Sequence, residues 1–241
     1  MTRSLEPVTG DALLTFYDDA TGERTALSPA ELAGWASATA ALLTDGCGLG
    51  PGRQAAVLLP PHWQTAAVLL GAWAAGVQVS FRGWSTAGLT PAGDPLDVTF
   101  VESRRIANWL DDVPSAAHRF VLGLAPAGAP TADVPPGYQD YTVAARPYLG
   151  AARPDALVGV HSPATVDGTT HGQYGAVAAG VAQMHGIGPG DRVLVDAAER
   201  EEPLFWLLAP LSAGASVVLC ANLDRSRLDE RIAAEGVTRV L

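Results

Sequence analysis

The 241-residue chain has a formal net charge of −10 at neutral pH and contains no lysine, so arginine supplies all 15 basic side chains. The acidic balance argues against nucleic acid or an anionic membrane as a partner. A phosphate-binding P-loop and Schiff-base chemistry both need a lysine and are excluded within this chain. No stretch has the length and apolarity of a membrane span or a signal peptide, so a cytoplasmic protein is expected.

The N-terminal region predicts a hairpin followed by a helix. Residues 13–17 and 24–27 are predicted to form two strands, and the polar turn between them favours a β-hairpin. Ser28 is followed by a proline and then by Glu31, which is the signature of a capping box at the start of a helix. Helical spacing of apolar residues continues to about Thr44.

An internal repeat organises the rest of the chain. Residues 48–81 contain a Gly-Pro-Gly turn, an apolar run, a helical segment and a second apolar run, and residues 186–220 repeat this pattern without a gap, 138 positions later. The turn ends a preceding helix, and an unbroken apolar run suits a strand buried on both faces. Each copy therefore predicts strand–helix–strand. Together they predict an α/β fold with a doubly wound, mainly parallel sheet built from two related halves.

The remaining predicted elements are shorter. In chain order they are a strand at 97–101, a helix from Ser103 to about Leu110, a strand at 120–124, a surface loop or linker at 125–137, a buried strand at 157–160, a helix from Thr169 or Thr170 to about Met184, a helix near 228–234 and a strand at 237–241. Residues 138–149 show no clear period and receive no assignment. The whole chain, 1–241, is expected to be a single α/β unit with halves 1–150 and 151–241.

Three stretches carry a family resemblance. The first runs from Asp18 to Leu43 and contains a hairpin, a Thr-Gly-Glu turn and then Ser-Pro-Ala-Glu-Leu. The second is the first repeat copy, and the third is the Thr-His at 170–171 with its helix and the second copy. They resemble the N-terminal portion of the AMP-binding, adenylate-forming superfamily, which includes acyl-CoA synthetases, luciferases and related ligases. The resemblance covers nearly the whole chain, which looks like the short, truncated actinobacterial relatives of these enzymes.

The resemblance breaks down where that family binds phosphate. Its phosphate loop is rich in Ser, Thr and Gly and carries Pro-Lys-Gly, whereas this chain has a shorter loop at 161–168 without lysine. The family's later ribose- and adenine-binding segments and its lysine-bearing C-terminal domain have no counterpart in the sequence. The resemblance therefore implies an AMP-binding-enzyme-like protein that is not competent for adenylation, and that binds a nucleotide (ATP or AMP) or an acyl group or acts as a regulator. Two alternatives stay open: a ligase-like enzyme with a rebuilt site, and an interaction subunit completed by a partner chain.

Candidate site residues follow from the predicted sheet. Ligands of doubly wound sheets bind beyond the carboxyl ends of the strands, where the Pro-His-Trp at 61–63, Arg82, Glu102 and the loop at 161–171 are expected. The loop is the best candidate, because it offers hydroxyl groups and a helix N-terminus that attracts anions. Its candidate ligand-binding residues are His161, Ser162, Thr165, Asp167, Gly168, Thr169, Thr170 and His171.

The alternative interpretation of the loop is a helix cap. Asp167 or Thr169 would then be the N-cap of the following helix, and Asp167 would repel a phosphate.

No catalytic residue and no metal site are predicted. The cysteines and the loop histidines lack metal-ligand spacing, and Ser162 has no nucleophile elbow around it. Four clustered carboxylates are expected at the solvated start of a helix, where the helix dipole favours negative charge. They are Asp196, Glu199, Glu201 and Glu202.

Association with a second chain is expected. The mean hydropathy is +0.17, and the C-terminal strand at 237–241 is apolar. Open strand edges and large apolar patches usually mark interfaces, and a twofold homodimer is the commonest arrangement. A homodimer or a stable partner protein is therefore predicted. The alternative is that the loops at 82–95 and 125–150 cover the exposed faces.

Overall fold

The computed structural model describes residues 12–86, 96–106, 113–151 and 158–241. The strands are β1 (Leu14–Asp18), β2 (Glu23–Leu27), β3 (Gln54–Leu58), β4 (Gln78–Phe81), β5 (Leu96–Glu102), β6 (Ala116–Leu122), β7 (Gln139–Asp140), β8 (Arg192–Asp196), β9 (Ser216–Ala221) and β10 (Arg239–Val240). The α-helices are α1 (Pro29–Ala41), α2 (Trp63–Ala74), α3 (Ser103–Ile106), α4 (Tyr141–Ala145), α5 (His171–Met184), α6 (Ala209–Ser212) and α7 (Leu228–Glu235). A π-helical segment, Leu204–Leu208, leads directly into α6.

The described strands form two five-stranded sheets. One has the order β10-β8-β9-β1-β2 and the other β4-β3-β5-β6-β7. Neighbouring strands are parallel in both, except for the β1–β2 hairpin. The predicted α/β class with an N-terminal hairpin is therefore confirmed, with the difference that the two repeat copies lie in separate sheets. Because β1 pairs with β9, the N-terminal hairpin completes the sheet of the second copy.

The sequence repeat is also a repeat of backbone structure. β3 and β8 begin 138 residues apart, and so do β4 and β9. The parallel register of β3 with β4 recurs at the same offset in β8 with β9. The predicted strand–helix–strand order is thus confirmed in both copies. Three glycines with φ between 65° and 85°, a region that side chains avoid, recur at the same offset: Gly48, Gly52 and Gly76, then Gly186, Gly190 and Gly214.

Helix α2 is the central helix of the molecule. Ten of its 12 residues are buried, in keeping with a sequence that is apolar or small on every side. One apolar cluster extends from α2 to strands of both sheets, and includes Phe16 of β1, Phe100 of β5 and Val195 of β8. The two sheets therefore share one core.

The opposite face of the first sheet is tied to α7 by buried charges. The side chain of Glu235 has no exposed surface, accepts a hydrogen bond from the Tyr17 hydroxyl at 2.5 Å, and pairs with Arg24 at 3.1 Å and with Arg192. Burial alone would raise the pKa of Glu235, but the hydrogen bonds from Tyr17 and the two arginines lower it overall. The network joins the hairpin, β8 and the C-terminal helix.

Two predictions of local structure are wrong or incomplete. Residues 158–160 form no strand, and Val160 is 63% exposed, while Leu157 lies outside the described residues. The carbonyl of Val160 instead accepts the N–H of Gly172 at 2.8 Å, so this segment folds back onto the start of α5. Helix α4, capped by Asp140, occupies a stretch without an assignment, because five residues are too few to show a helical period.

The predicted helix from Ser103 is present as α3, and its expected end near Leu110 lies outside the described residues. No helix in the described parts of the chain is long and apolar enough to span a membrane.

Candidate functional site

The loop at 161–171 forms a short hairpin of its own. Pro163 and Thr170 form an antiparallel bridge, and the N–H of Ala164 donates to the carbonyl of Thr169 at 2.8 Å. Thr165 pairs with Val79, so the loop lies along the edge of β4. The backbone groups that an open phosphate loop would present to a ligand are here bonded within the loop and to β4.

Asp167 takes up the remaining donors of this turn. Its carboxylate accepts the hydroxyl of Thr165 at 2.5 Å and the backbone N–H of Thr169 at 3.0 Å. The hydrogen bonds from Thr165 and Thr169 lower the pKa of Asp167, so the side chain is ionised at neutral pH. Gly168, with φ of 87°, allows the chain to turn tightly around this carboxylate. A fixed negative charge therefore lies beside the donors that a phosphate would need.

Thr170 is the N-cap of α5. Its hydroxyl accepts the N–H of Gln173 at 3.3 Å, and the Gln173 side chain accepts the N–H of Thr170 at 2.9 Å, which completes a capping box. The expectation that Asp167 or Thr169 caps this helix is wrong, because Asp167 bonds to the preceding turn instead.

The candidate loop residues do not converge on one point. Thr165, Asp167 and Thr169 line a groove of about 440 Å³ beside β4. His171 lines a different, largely apolar groove of about 320 Å³ between α2, α5 and α6, and burial lowers its pKa. Ser162 accepts the N–H of Gly159 at 3.1 Å, and His161 is exposed. In the described parts of the chain, no three His, Cys, Asp or Glu side chains are placed to hold a metal ion.

A second cavity lies at the carboxyl ends of strands from both sheets. It has a volume of about 420 Å³ and is lined by residues at or just after the ends of β1, β3, β5, β6, β8 and β9. This is where open α/β sheets bind ligands. His62 and Glu102 lie here, at the position expected for them from the sequence.

His62 is the most unusual group in this strand-end cavity. The residue is 2% exposed, and as the N-cap of α2 its Nδ1 accepts the N–H of Gln64 at 3.1 Å. Burial lowers the pKa of His62 to about 3, while the nearby carboxylate of Asp18 acts weakly in the opposite direction. The imidazole is therefore neutral and carries its proton on Nε2. Among the described residues, this Nε2–H has no hydrogen-bond partner.

Two carboxylates stand at the end of the β1–β2 hairpin. Asp18 and Glu23 are paired across the strands, and both line the strand-end cavity. Asp18 accepts the N–H of Ala20 at 2.9 Å and the side-chain amide of Asn222 at 2.7 Å. Glu23 is 8% exposed and accepts the Thr25 hydroxyl at 2.7 Å. Burial raises the pKa of Glu23; the hydrogen bond from Thr25 opposes this increase, and the negative charge of Asp18 adds a smaller one.

Two further carboxylates close the other side of the cavity. Glu201 accepts the backbone N–H of Trp84 and that of Ser85, the latter at 2.9 Å. Glu102 accepts the indole N–H of Trp84 at 2.9 Å and pairs with Arg104. The expectation that Glu201 belongs only to a solvated helix start is wrong. Sequence reasoning missed its role because its partners lie more than 100 residues away.

The backbone of the strand-end cavity is strained at two places. Leu124 and Asn222 line it with φ of 52° and 48°, in the left-handed region that non-glycine residues rarely adopt. Such conformations cluster at functional sites. No sequence signal marks Leu124, whereas an asparagine after a strand is a weak one.

The fold of the chain is similar to that of the N-terminal domain of the adenylate-forming ligases. Three solved structures show the fold. The N-terminal domain of FACL13 from Mycobacterium tuberculosis has a TM-score of 0.64 and 16% identity, covering 95% of this chain and 58% of that chain. Acetoacetyl-CoA synthetase from Streptomyces lividans has a TM-score of 0.68 and 20% identity, covering 95% and 39%. The anthranilate CoA ligase AuaEII, in complex with anthranoyl-AMP, has a TM-score of 0.67 and 15% identity, covering 95% and 46%.

The chain thus spans about half the length of these solved relatives. No protein-family model matches the sequence. The chain is 42% identical over 234 residues to the TIGR03089 family protein of Mycobacterium tuberculosis, covering 95% of this chain and 90% of that protein. It belongs to the TIGR03089 family. The predicted resemblance to adenylate-forming enzymes is confirmed at the level of the fold, and the relative fits the actinobacterial type expected.

Proposed function

We propose that this protein uses the adenylate-forming fold for binding or regulation and forms no acyl-adenylate. The proposal rests on the hydrogen bonds that Asp167 accepts. Its carboxylate holds the hydroxyl of Thr165 and the N–H of Thr169 in the loop where the family's enzymes bind phosphate. Two negative groups cannot share these donors without strong repulsion.

Transition-state electrostatics support the same conclusion. During adenylation, negative charge develops on phosphate oxygens in the transition state. The loss of a single hydrogen-bond donor placed to stabilise such a charge typically lowers the rate about 10²–10³-fold. Residues 161–171 contain neither lysine nor arginine, so this loop offers no cation to the transferred group. A cytoplasmic location is part of the proposal and rests on composition alone.

Pyrophosphate exchange tests the proposal. Purified protein is assayed with ATP and a panel of carboxylic acids, beside an active acyl-CoA synthetase as positive control. We expect no exchange above background, and acid-dependent exchange would refute the proposal.

Thermal shift with ATP, AMP, an acyl-AMP and CoA then asks whether a nucleotide still binds. A ligand at about 100 times its Kd adds roughly 2.7 kcal/mol of stability, which is a visible shift. Asp167→Asn keeps a hydrogen-bond acceptor in the loop but removes the negative charge that repels a phosphate. It should therefore increase any rise in Tm that ATP causes. Asp133→Asn, at an exposed position in another loop, is the control for net charge.

An interaction subunit is a second candidate function. Val177 and Met184 lie two helical turns apart on one side of α5 and are 51% and 80% exposed. Val240, on the edge strand β10, is 53% exposed. Apolar groups of this kind favour the predicted homodimer or partner protein.

A further inference from the structure

We propose that the strand-end cavity binds a small organic amine that also carries an oxygen acceptor, such as an amino alcohol or an amino-acid amide. This inference goes beyond the proposed function and does not depend on it. The loop at 161–171 could prove active or inactive in adenylation without changing the charge or the donors of this cavity.

The charge of the cavity selects a cation. Its described lining carries four carboxylates and one guanidinium, that of Arg104. Arg104 pairs with Glu102, which leaves Asp18, Glu23 and Glu201 without a cation in the lining. An ammonium group is attracted into such a cleft, whereas a phosphate or a carboxylate is repelled.

The unused donor of His62 selects an oxygen. Its Nδ1 is occupied by the N–H of Gln64, and its Nε2–H is buried without a partner among the described residues. A buried donor without an acceptor is costly, so natural structures rarely leave one unless a ligand or water satisfies it. A neutral hydroxyl or carbonyl oxygen on the ligand would accept this hydrogen bond, and unlike a carboxylate it would not be repelled by Asp18.

The dimensions and walls of the cavity suit a small molecule. A volume of about 420 Å³ falls within the range of small-molecule sites. Phe16 and Trp84 supply aromatic wall, and the indole N–H of Trp84 is held by Glu102 at 2.9 Å. Aromatic faces also favour an ammonium group over an anion.

Calorimetric titration of the purified full chain tests the inference with four probes of similar size. Ethanolamine and glycinamide carry both an ammonium and an oxygen acceptor, ethylamine carries only the ammonium, and acetate carries only an anion. We expect saturable binding of the first two, about fivefold weaker binding of ethylamine, and no binding of acetate.

Two substitutions assign the contacts. Glu23→Gln keeps the acceptor for Thr25 but removes a charge, and it should weaken ethanolamine binding about tenfold. His62→Asn keeps a cap for α2 but removes the Nε2–H, so it should weaken ethanolamine about fivefold and leave ethylamine unchanged. Glu230→Gln, on the exposed side of α7, is the matched control and should change nothing.

The outcomes are decisive in both directions. No saturable binding of any amine by the wild-type protein overturns the inference, as does equal binding by Glu23→Gln. Preference for acetate, inorganic phosphate or a divalent metal ion overturns it as well. If His62→Asn does not fold by circular dichroism, the comparison of ethanolamine with ethylamine on the wild-type protein decides whether the oxygen acceptor contributes.

Discussion

Replacing Gly71 by alanine should destabilise the protein, although alanine is the better helix former. Gly71 lies in α2 where α1 crosses it, and an added β-carbon would be 2.7 Å from the carbonyl oxygen of Ala36 and closer still to the Thr39 side chain. Thr39 cannot turn away freely, because its hydroxyl is hydrogen-bonded to that of Tyr141 at 2.6 Å and to the carbonyl of Trp35 at 2.9 Å. The two helices would therefore have to move apart.

The expected magnitude follows from two opposing effects. Alanine gains about 0.8–1.0 kcal/mol over glycine in a helix interior. Overpacking of a tight core costs about 1–3 kcal/mol, and a contact this short belongs at the upper end. The net loss is then about 1–2 kcal/mol, which for a chain of this length lowers the Tm by roughly 2–8 °C.

Gly34 provides a matched control for this prediction. It also lies within a helix, α1, but an added β-carbon would meet no atom within 4 Å. Gly34→Ala should therefore stabilise the protein by up to about 1 kcal/mol and raise the Tm by roughly 2–4 °C. Both variants are compared with the wild type by thermal and urea unfolding, followed by circular dichroism. Stabilisation by Gly71→Ala as large as that by Gly34→Ala would refute the close-approach argument.

Three further predictions concern charge and association. The folded state lowers the pKa of Glu235, so its carboxylate stabilises the fold above pH 4.5 and this stabilisation is lost as the pH falls. Glu235→Gln should therefore lower the free energy of unfolding, measured with urea, by about 1–3 kcal/mol at neutral pH and by little in acid. The folded state raises the pKa of Glu23, so the protonated carboxyl stabilises the fold below pH 4.5 and this stabilisation is lost as the pH rises and the group ionises. Glu23→Gln should therefore raise the Tm at neutral pH but not in acid, and the reverse pH dependence would contradict this. Light scattering should report a dimer that Val240→Lys or Met184→Lys converts to a monomer, whereas a wild-type monomer at all concentrations would rule the dimer out.

The sequence by itself determined the features that depend on neighbouring residues. The repeat at an offset of 138, its glycine turns and the capping box at Ser28 were all readable, because each depends on backbone conformation or hydrogen bonds within a few positions. Helix α2 was predictable for the same reason, since its apolar and small residues already specify burial. The departure of the loop at 161–168 from the phosphate-binding pattern was also visible.

Only the tertiary structure decided what distant segments do to one another. It placed the two copies in separate sheets and brought β1 beside β9. It set the Glu201 carboxylate against the turn that contains Trp84, and it left the Nε2–H of His62 buried without a partner among the described residues. None of these pairings has a local signal, because a hydrogen bond or a charge acts over a few ångströms of space whatever the separation along the chain. The candidate site at the strand ends therefore arises from tertiary packing. In the loop at 161–171, which the sequence favoured as the site, Asp167 occupies the hydrogen-bond donors that a phosphate would need.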